Sequence, residues 1–173
     1  CEKPLSEYYG ISQIKWDRDG CGTDLNISED GYTVSAPLNI IKHQNVRTNC
    51  LMRNGTHEFH VLIEKTCGCA WVGICGEGLD FSYFSGYQPH GWVWGSGGYY
   101  THNSKSITDD VPAFIQDNVK IIVHLNMDSK TLAFSINGTK YPPVTSWTNF
   151  PSNLYFVASV NWPGKFRILS PED

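Results

Sequence analysis

Apolar residues fall on every second position in five segments of the chain. In HEFHVLIEK these are Phe59, Val61 and Ile63; in VKIIVHLNM they are Val119, Ile121, Val123, Leu125 and Met127. TLAFSI offers Leu132, Phe134 and Ile136, LYFVASV offers Leu154, Phe156, Ala158 and Val160, and KFRIL offers Phe166 and Ile168. A period of two sends successive side chains to opposite faces of a strand, so each segment predicts a strand with one face against a core. Turn clusters punctuate them at Asp19-Gly20, Asp30-Gly31, Asn54-Gly55, Gly97-Gly98, Asp128-Ser129-Lys130, Asn137-Gly138 and Pro163-Gly164. Asn137-Gly138 predicts a type I′ hairpin after TLAFSI, with the chain returning through Thr139, Lys140 and Tyr141 until Pro142-Pro143 ends the pairing. TCGCAWVGIC reads as one strand with Cys67, Cys69 and Cys75 on one face and Trp71 in the core. Trp92 and Trp94 share a face of GWVWG and belong to the core or a second sheet. Only short helices are expected, around Leu5 to Tyr9 and after Pro112.

Many short strands without helical crossovers predict an all-β fold, an antiparallel sandwich. No repeat or linker divides the 173 residues, so the expectation is one domain over 1–173, excised from a longer chain. Charged residues make up 17% and aromatics 13%, a mix suited to a β-rich globule with tight turns. The net charge of -4 argues against a nucleic-acid or membrane-surface partner, because phosphate binding relies on excess Lys and Arg. No apolar run approaches the roughly 18 residues of a membrane-spanning helix.

Six cysteines would permit three disulfides, but cysteines two apart on one strand point the same way and cannot pair with each other. Reduced cysteines and an intracellular, cytoplasmic chain are therefore expected, with secretion as the lesser reading. Three N-glycosylation sequons begin at Asn26, Asn54 and Asn137, and their number is close to chance in a chain rich in Asn, Ser and Thr.

Reactive chemistry finds no footing. His57 and His60, three apart on a strand, face opposite ways, and Cys67-Gly68-Cys69 lacks a second pair to complete a zinc site. GSGG at 95–98 leads into YYTHN and not into a helix that could cradle phosphate. There is no Gly-x-Ser-x-Gly elbow. Glu29-Asp30, Glu77, Asp80 and Asp109-Asp110 show no acidic alternation of the kind a glycosidase strand would carry. No cofactor, metal or enzymatic activity is expected. A carbohydrate-binding lectin is the alternative, with Tyr99, Tyr100 or Trp162 as stacking platforms.

Five segments, in order, resemble the SPRY family: ISEDGYTV, HEFHVLIE followed by AWVGIC, GWVWGSGGYY, NMDSKTLAFSINGTKY and NLYFVASV. The likeness runs from about Trp16 to Leu169. It implies a bent two-sheet sandwich of concanavalin-like jelly-roll type and a non-catalytic task. That task is to bind a peptide segment or folded partner through loops at one end, as the recognition arm of a ubiquitin-ligase adaptor or scaffold. An isolated domain of this kind is expected to be monomeric. The loops that match the family's binding surface are Pro37 to Asn45 (with Leu38, Asn39, Ile40 and Gln44), then Gly68 and Cys69, and Asn161-Trp162-Pro163-Gly164. FSYFSGYQPHG adds Tyr83 and Tyr87. Independently of the likeness, a Trp beside Pro-Gly between two strands sits at a loop tip, where its apolar face and N–H suit an interface anchor. Backbone near Gly68 and Gly164 is expected to be open to a peptide.

Overall fold

The computed structural model describes residues 14–170 and 173. Among them, fourteen strands form two antiparallel sheets. The first sheet contains β1 (Trp16–Cys21), β4 (Gln44–Thr48), β13 (Tyr155–Val160), β6 (Trp71–Cys75), β7 (Gly91–Gly95), β8 (Tyr99–His102) and β9 (Lys105–Ile107), in that spatial order. The second contains β12 (Thr139–Lys140), β11 (Thr131–Ile136), β10 (Val119–Asn126), β5 (Thr56–Lys65), β14 (Lys165–Ile168), β3 (Thr33–Ser35) and β2 (Asn26–Ile27). The architecture is the antiparallel β-sandwich that the alternation predicts.

The inward faces carry the predicted residues. Phe59, Val61 and Ile63 of β5 meet Val123, Ile121 and Val119 of β10 in register, and all six are buried. Phe134 pairs with Val123, and Leu132 with Leu125. From the first sheet, Trp92 and Trp94 project into the same core, where Trp94 lies 4.9 Å from the Phe134 ring and its Nε1–H donates to Pro112 O at 2.9 Å. Burying aromatics of this size dominates the stabilisation of such a domain.

The hairpin closes as the Asn-Gly pair dictates. Asn137 and Gly138 have φ of 46° and 89°, the two positive values of a type I′ turn, and Thr139 and Lys140 pair back with Ile136 and Ser135.

Three expectations need correction. Asp19-Gly20 lies inside β1 at an irregularity of register against β4, packed under the Arg47 side chain, and makes no turn. The strand read into TCGCAWVGIC starts only at Trp71, so Cys67 and Cys69 occupy a bend before it. No helix follows Pro112: Phe114 is instead drawn in against Trp94, 4.4 Å between ring centres, with its N–H on Ser96 O. The helical turn that does form is a 3-10 turn at Ser85–Tyr87. The segment from Leu5 to Tyr9 lies outside the described residues. No helix among those described is long and apolar enough to cross a membrane.

Candidate functional site

The first sheet has a second apolar layer on its outward face. Alternation that sends Val72, Ile74, Trp92 and Trp94 inward sends Trp71, Cys75 and Val93 outward, where Val157 joins them. Segment 76–90 folds back over this face, and its Leu79, Phe81 and Phe84 complete the cluster. Trp71 is thus buried as expected, but beneath a loop and not between the sheets. Its ring lies flat over Gly95, where an added Cβ would come within 2.6 Å of the ring, so Gly95 admits the indole.

Segment 76–90 makes little regular structure of its own, so side chains satisfy its backbone. Buried Gln88 donates from Nε2 to the carbonyls of Asp80 (2.8 Å) and Tyr83 (2.9 Å), and its Oε1 accepts the Asp80 N–H at 2.8 Å. Asn45, fully buried on β4, donates from Nδ2 to the same two carbonyls at 2.9 and 2.6 Å. Its Oδ1 accepts the Ser85 N–H and the Ser159 hydroxyl. The result is a rigid strap that lifts Tyr83 and Tyr87 to the surface, both exposed.

Aromatic rings continue outward from this strap. Tyr87 stands edge-on to Phe84 at 4.9 Å, Phe84 contacts Trp71 at 4.5 Å, and Trp71 contacts half-exposed Tyr99 at 6.2 Å. His43 closes the strip against the neighbouring loops: its ring is 5.7 Å from Phe84, and its Nε2–H donates to Cys69 O at 2.6 Å. Burial holds the His43 imidazole below its ordinary pKa, so it is neutral here.

Loops 36–43 and 161–164 are tied together beside this strip. Trp162 N–H donates to Ile40 O, and Asn161 Nδ2 donates to Ile41 O, each at 2.8 Å. Held by these ties, the loops turn apolar side chains out to solvent: Leu38 is 67% exposed, Ile41 81% and Trp162 50%. Cys67 Sγ packs near Gly164, burial pushes its thiol up to about 11, and Gly68 beside it is exposed with nothing near a would-be Cβ.

The structure therefore gathers the 37–45, 68–69 and 161–164 loops, with the 83–87 strap joined through His43 and Phe84. Leu38, Asn39, Gly68, Tyr83, Tyr87, Trp162 and Pro163 are exposed; Pro37, Ile40, Cys69 and Asn161 are half-buried. Two expectations change. Asn45 has no free side-chain group for a partner, because all its hydrogen-bonding capacity holds the strap, and Gln44 beside it is bonded to Asp24. Gly164 is buried against Val160 and Asn161, with its N–H on Asn161 O and its carbonyl taken by Ala36 N–H. Ile41 and His43 lie inside the expected Pro37–Asn45 wall and Phe84 inside FSYFSGYQPHG, but none of the three was singled out. Adjacent Ile40-Ile41 in a polar loop was the one available signal, since one of the pair must face out.

On the outward face of the second sheet, Ser135 Oγ lies 2.6 Å from His124 Nε2, His124 Nδ1 is 3.4 Å from Glu58 Oε1, and Glu58 Oε2 meets His60 Nε2 at 2.8 Å. The order mimics a Ser-His-Glu relay, but the exposures are reversed: the serine is buried, the carboxylate open. Backbone N–H groups around mid-strand Ser135 belong to the ladder and cannot form an oxyanion hole. The His60 hydrogen bond keeps Glu58 below the usual carboxylate range.

Two antiparallel sheets with cross-tied end loops define the class of protein as an antiparallel β-sandwich. The SPRY domain description matches residues 56–173, and the chain belongs to that family, whose members commonly serve as protein-interaction modules. Among solved structures, the TRIM65 PSpry domain matches with a TM-score of 0.72 at 15% identity, over 92% of this chain and 93% of that one. The SPRY domain of human HERC1 gives 0.71 at 15%, over 91% and 99%. The stonustoxin structure gives 0.71 at 18%, over 91% of this chain; the chain spans 27% of the stonustoxin chain. These identities speak for the fold alone. No curated protein sequence matches the chain.

Proposed function

We propose that this chain is a non-catalytic protein-interaction module that captures a peptide segment or folded partner on the rim formed by loops 36–43, 66–70 and 161–164, flanked by the Tyr83–Tyr87 strap. One observation carries the reading: Leu38, Ile41 and Trp162 expose large apolar side chains on two loops cross-tied by the Trp162 N–H to Ile40 O and Asn161 Nδ2 to Ile41 O hydrogen bonds. A surface of this kind binds with little ordering cost, and a Trp at its centre supplies most of the energy. Its composition suits a protein partner better than nucleic acid or a membrane surface. We take the chain to be one monomeric module of a longer protein. Its SPRY relationship fits the recognition arm of a ubiquitin-ligase adaptor or scaffold in a reducing cytoplasm. The disulfide at Cys50, however, supports the secreted setting.

The test is a display selection on the wild-type domain, followed by affinity measurement with Trp162→Ala. Capture should weaken by at least about 1–2 kcal/mol, roughly tenfold, with the melting temperature nearly unchanged. Equal affinity in the folded variant would move the site elsewhere.

A further inference from the structure

The loop from Asn49 to Gly55, between β4 and β5, holds two features that rim binding does not use. Cys50 is disulfide-bonded, whereas Cys21, Cys67, Cys69 and Cys75 are free thiols. A persistent structural disulfide belongs to an oxidising compartment. Secreted chains mature in such a compartment, and there Asn-x-Ser/Thr acceptors receive their sugar.

Four residues after Cys50 comes Asn54-Gly55-Thr56, with Asn54 and Thr56 both exposed. The main chain there is fixed. Asn54 O accepts from His57 Nε2 at 2.6 Å, Gly55 N–H donates to Asp128 Oδ1 at 3.1 Å, and Met127 N–H donates to Gly55 O at 2.8 Å. The Asn54 carboxamide, by contrast, makes no hydrogen bond among the described residues. Gly55, at φ +76°, has nothing within 4 Å of an added Cβ, so the tip opens into solvent with room for a bulky substituent.

The other two sequons are less free. Asn137 Oδ1 accepts the Lys120 N–H at 2.9 Å inside the hairpin turn. Ser28, the hydroxyl residue of the Asn26 sequon, is bonded to the Asp30 carboxylate at 2.6 Å and accepts the Thr33 N–H at 3.0 Å. Position matters as well. The ten residues of β5 lie between Thr56 and the Gly68 bend, a separation of about 30 Å at the strand rise, so a sugar on Asn54 leaves the rim clear.

We propose that the chain matures in an oxidising secretory lumen and that Asn54 is N-glycosylated there. The co-reactant is a lipid-diphosphate-linked oligosaccharide. Asn54 Nδ2 forms a bond to the anomeric carbon, the bond from that carbon to the diphosphate oxygen breaks, and the lipid diphosphate leaves with the electron pair. One amide proton is released to base, and no oxidation or reduction occurs. The inference is independent of the rim, so each can fail while the other stands, but it excludes the reducing cytoplasmic setting of a ubiquitin-ligase arm.

The experiment expresses the complete coding sequence, with its own N-terminus, in a eukaryotic cell. Amidase removal of N-glycans in heavy-oxygen water, followed by peptide mapping, should mark residue 54 as heavy Asp. On gels, amidase treatment should shift the wild type, and Asn54→Gln and Thr56→Ala should each lose one glycan step while Thr56→Ser keeps it. Agreement between the two variants guards against a folding artefact in either. Cys50 should resist alkylation until reductant is added. Unmodified Asn54 in the wild type, glycans confined to Asn26 or Asn137, or a Cys50 alkylated without reductant would each overturn the proposal.

Discussion

Between the sheets, Phe59 stacks on Phe156 at 5.1 Å and meets Trp16 edge-on at 5.5 Å, and all three are buried strand residues. On the outer face of the first sheet, Trp71, Cys75, Val93 and Val157 are covered by an irregular strap whose backbone is held by Gln88 and Asn45. Both clusters exclude water, yet they are secured differently. In the inner one, most of the apolar burial comes from residues that also pair in strands, with loop side chains such as Phe114, Trp147 and Phe150 filling in. In the outer one, a buried polar network must first hold the lid in place, and only then does the apolar contact follow. The outer cluster is also the one that carries the aromatic strip toward the exposed end loops, so the proposed site would rest on the less redundant of the two.

That contrast can be broken in three ways. Phe59→Ala should remove about 3–5 kcal/mol by leaving a cavity between the sheets, measured by denaturant unfolding, with the whole chain losing stability together. Gln88→Ala should cost less, about 1–3 kcal/mol, through the Asp80 and Tyr83 groups it leaves unpaired. Its signature is local: hydrogen exchange should rise across residues 79–90 while β5 and β10 stay protected. If Gln88→Ala destabilised β5 and β10 as much as Phe59→Ala, the two clusters would be one cooperative unit and the distinction would fall.

The smallest effect concerns pH. Burial lowers the His43 pKa, so above about 6.5 folded and unfolded chains both hold it neutral and it contributes no slope. As pH drops below that value the unfolded chain takes up a proton that the folded chain refuses. Stability therefore falls until the lower folded pKa is passed, where the loss is complete. His43→Gln should flatten that part of the stability profile. His124, also held low by burial, should leave its own slope in place. An unchanged profile in His43→Gln would mean that the imidazole is as open to protons folded as unfolded.

How much was readable beforehand differs between the same two regions. Inward faces of β5, β10, β11, β13 and β14 follow directly from alternation, and the turn at Asn137-Gly138 from its dipeptide, because each depends on residues adjacent in sequence. Exposure in the proposed rim was partly legible. Trp162, Leu38, Tyr83 and Tyr87 are exposed where loop position implied. Asn45 and Gly164 are not, since nothing local distinguishes an asparagine that faces a partner from one that ties a strap 35 to 40 residues away. Nor could a cysteine pattern on an imagined strand foresee the Cys50 disulfide, because bridge partners are chosen by folded distance.

The period-two pattern and the turn dipeptides were enough to determine two antiparallel layers and most of what lies between them. The reason is that strand geometry alternates faces residue by residue. Long-range packing decided the rest. It folded segment 76–90 over Trp71, placed His43 between Cys69 and Phe84, and spent Asn45 on structure, since whether a polar or aromatic side chain is used inside or offered outside depends on partners that only the closed sandwich brings within reach.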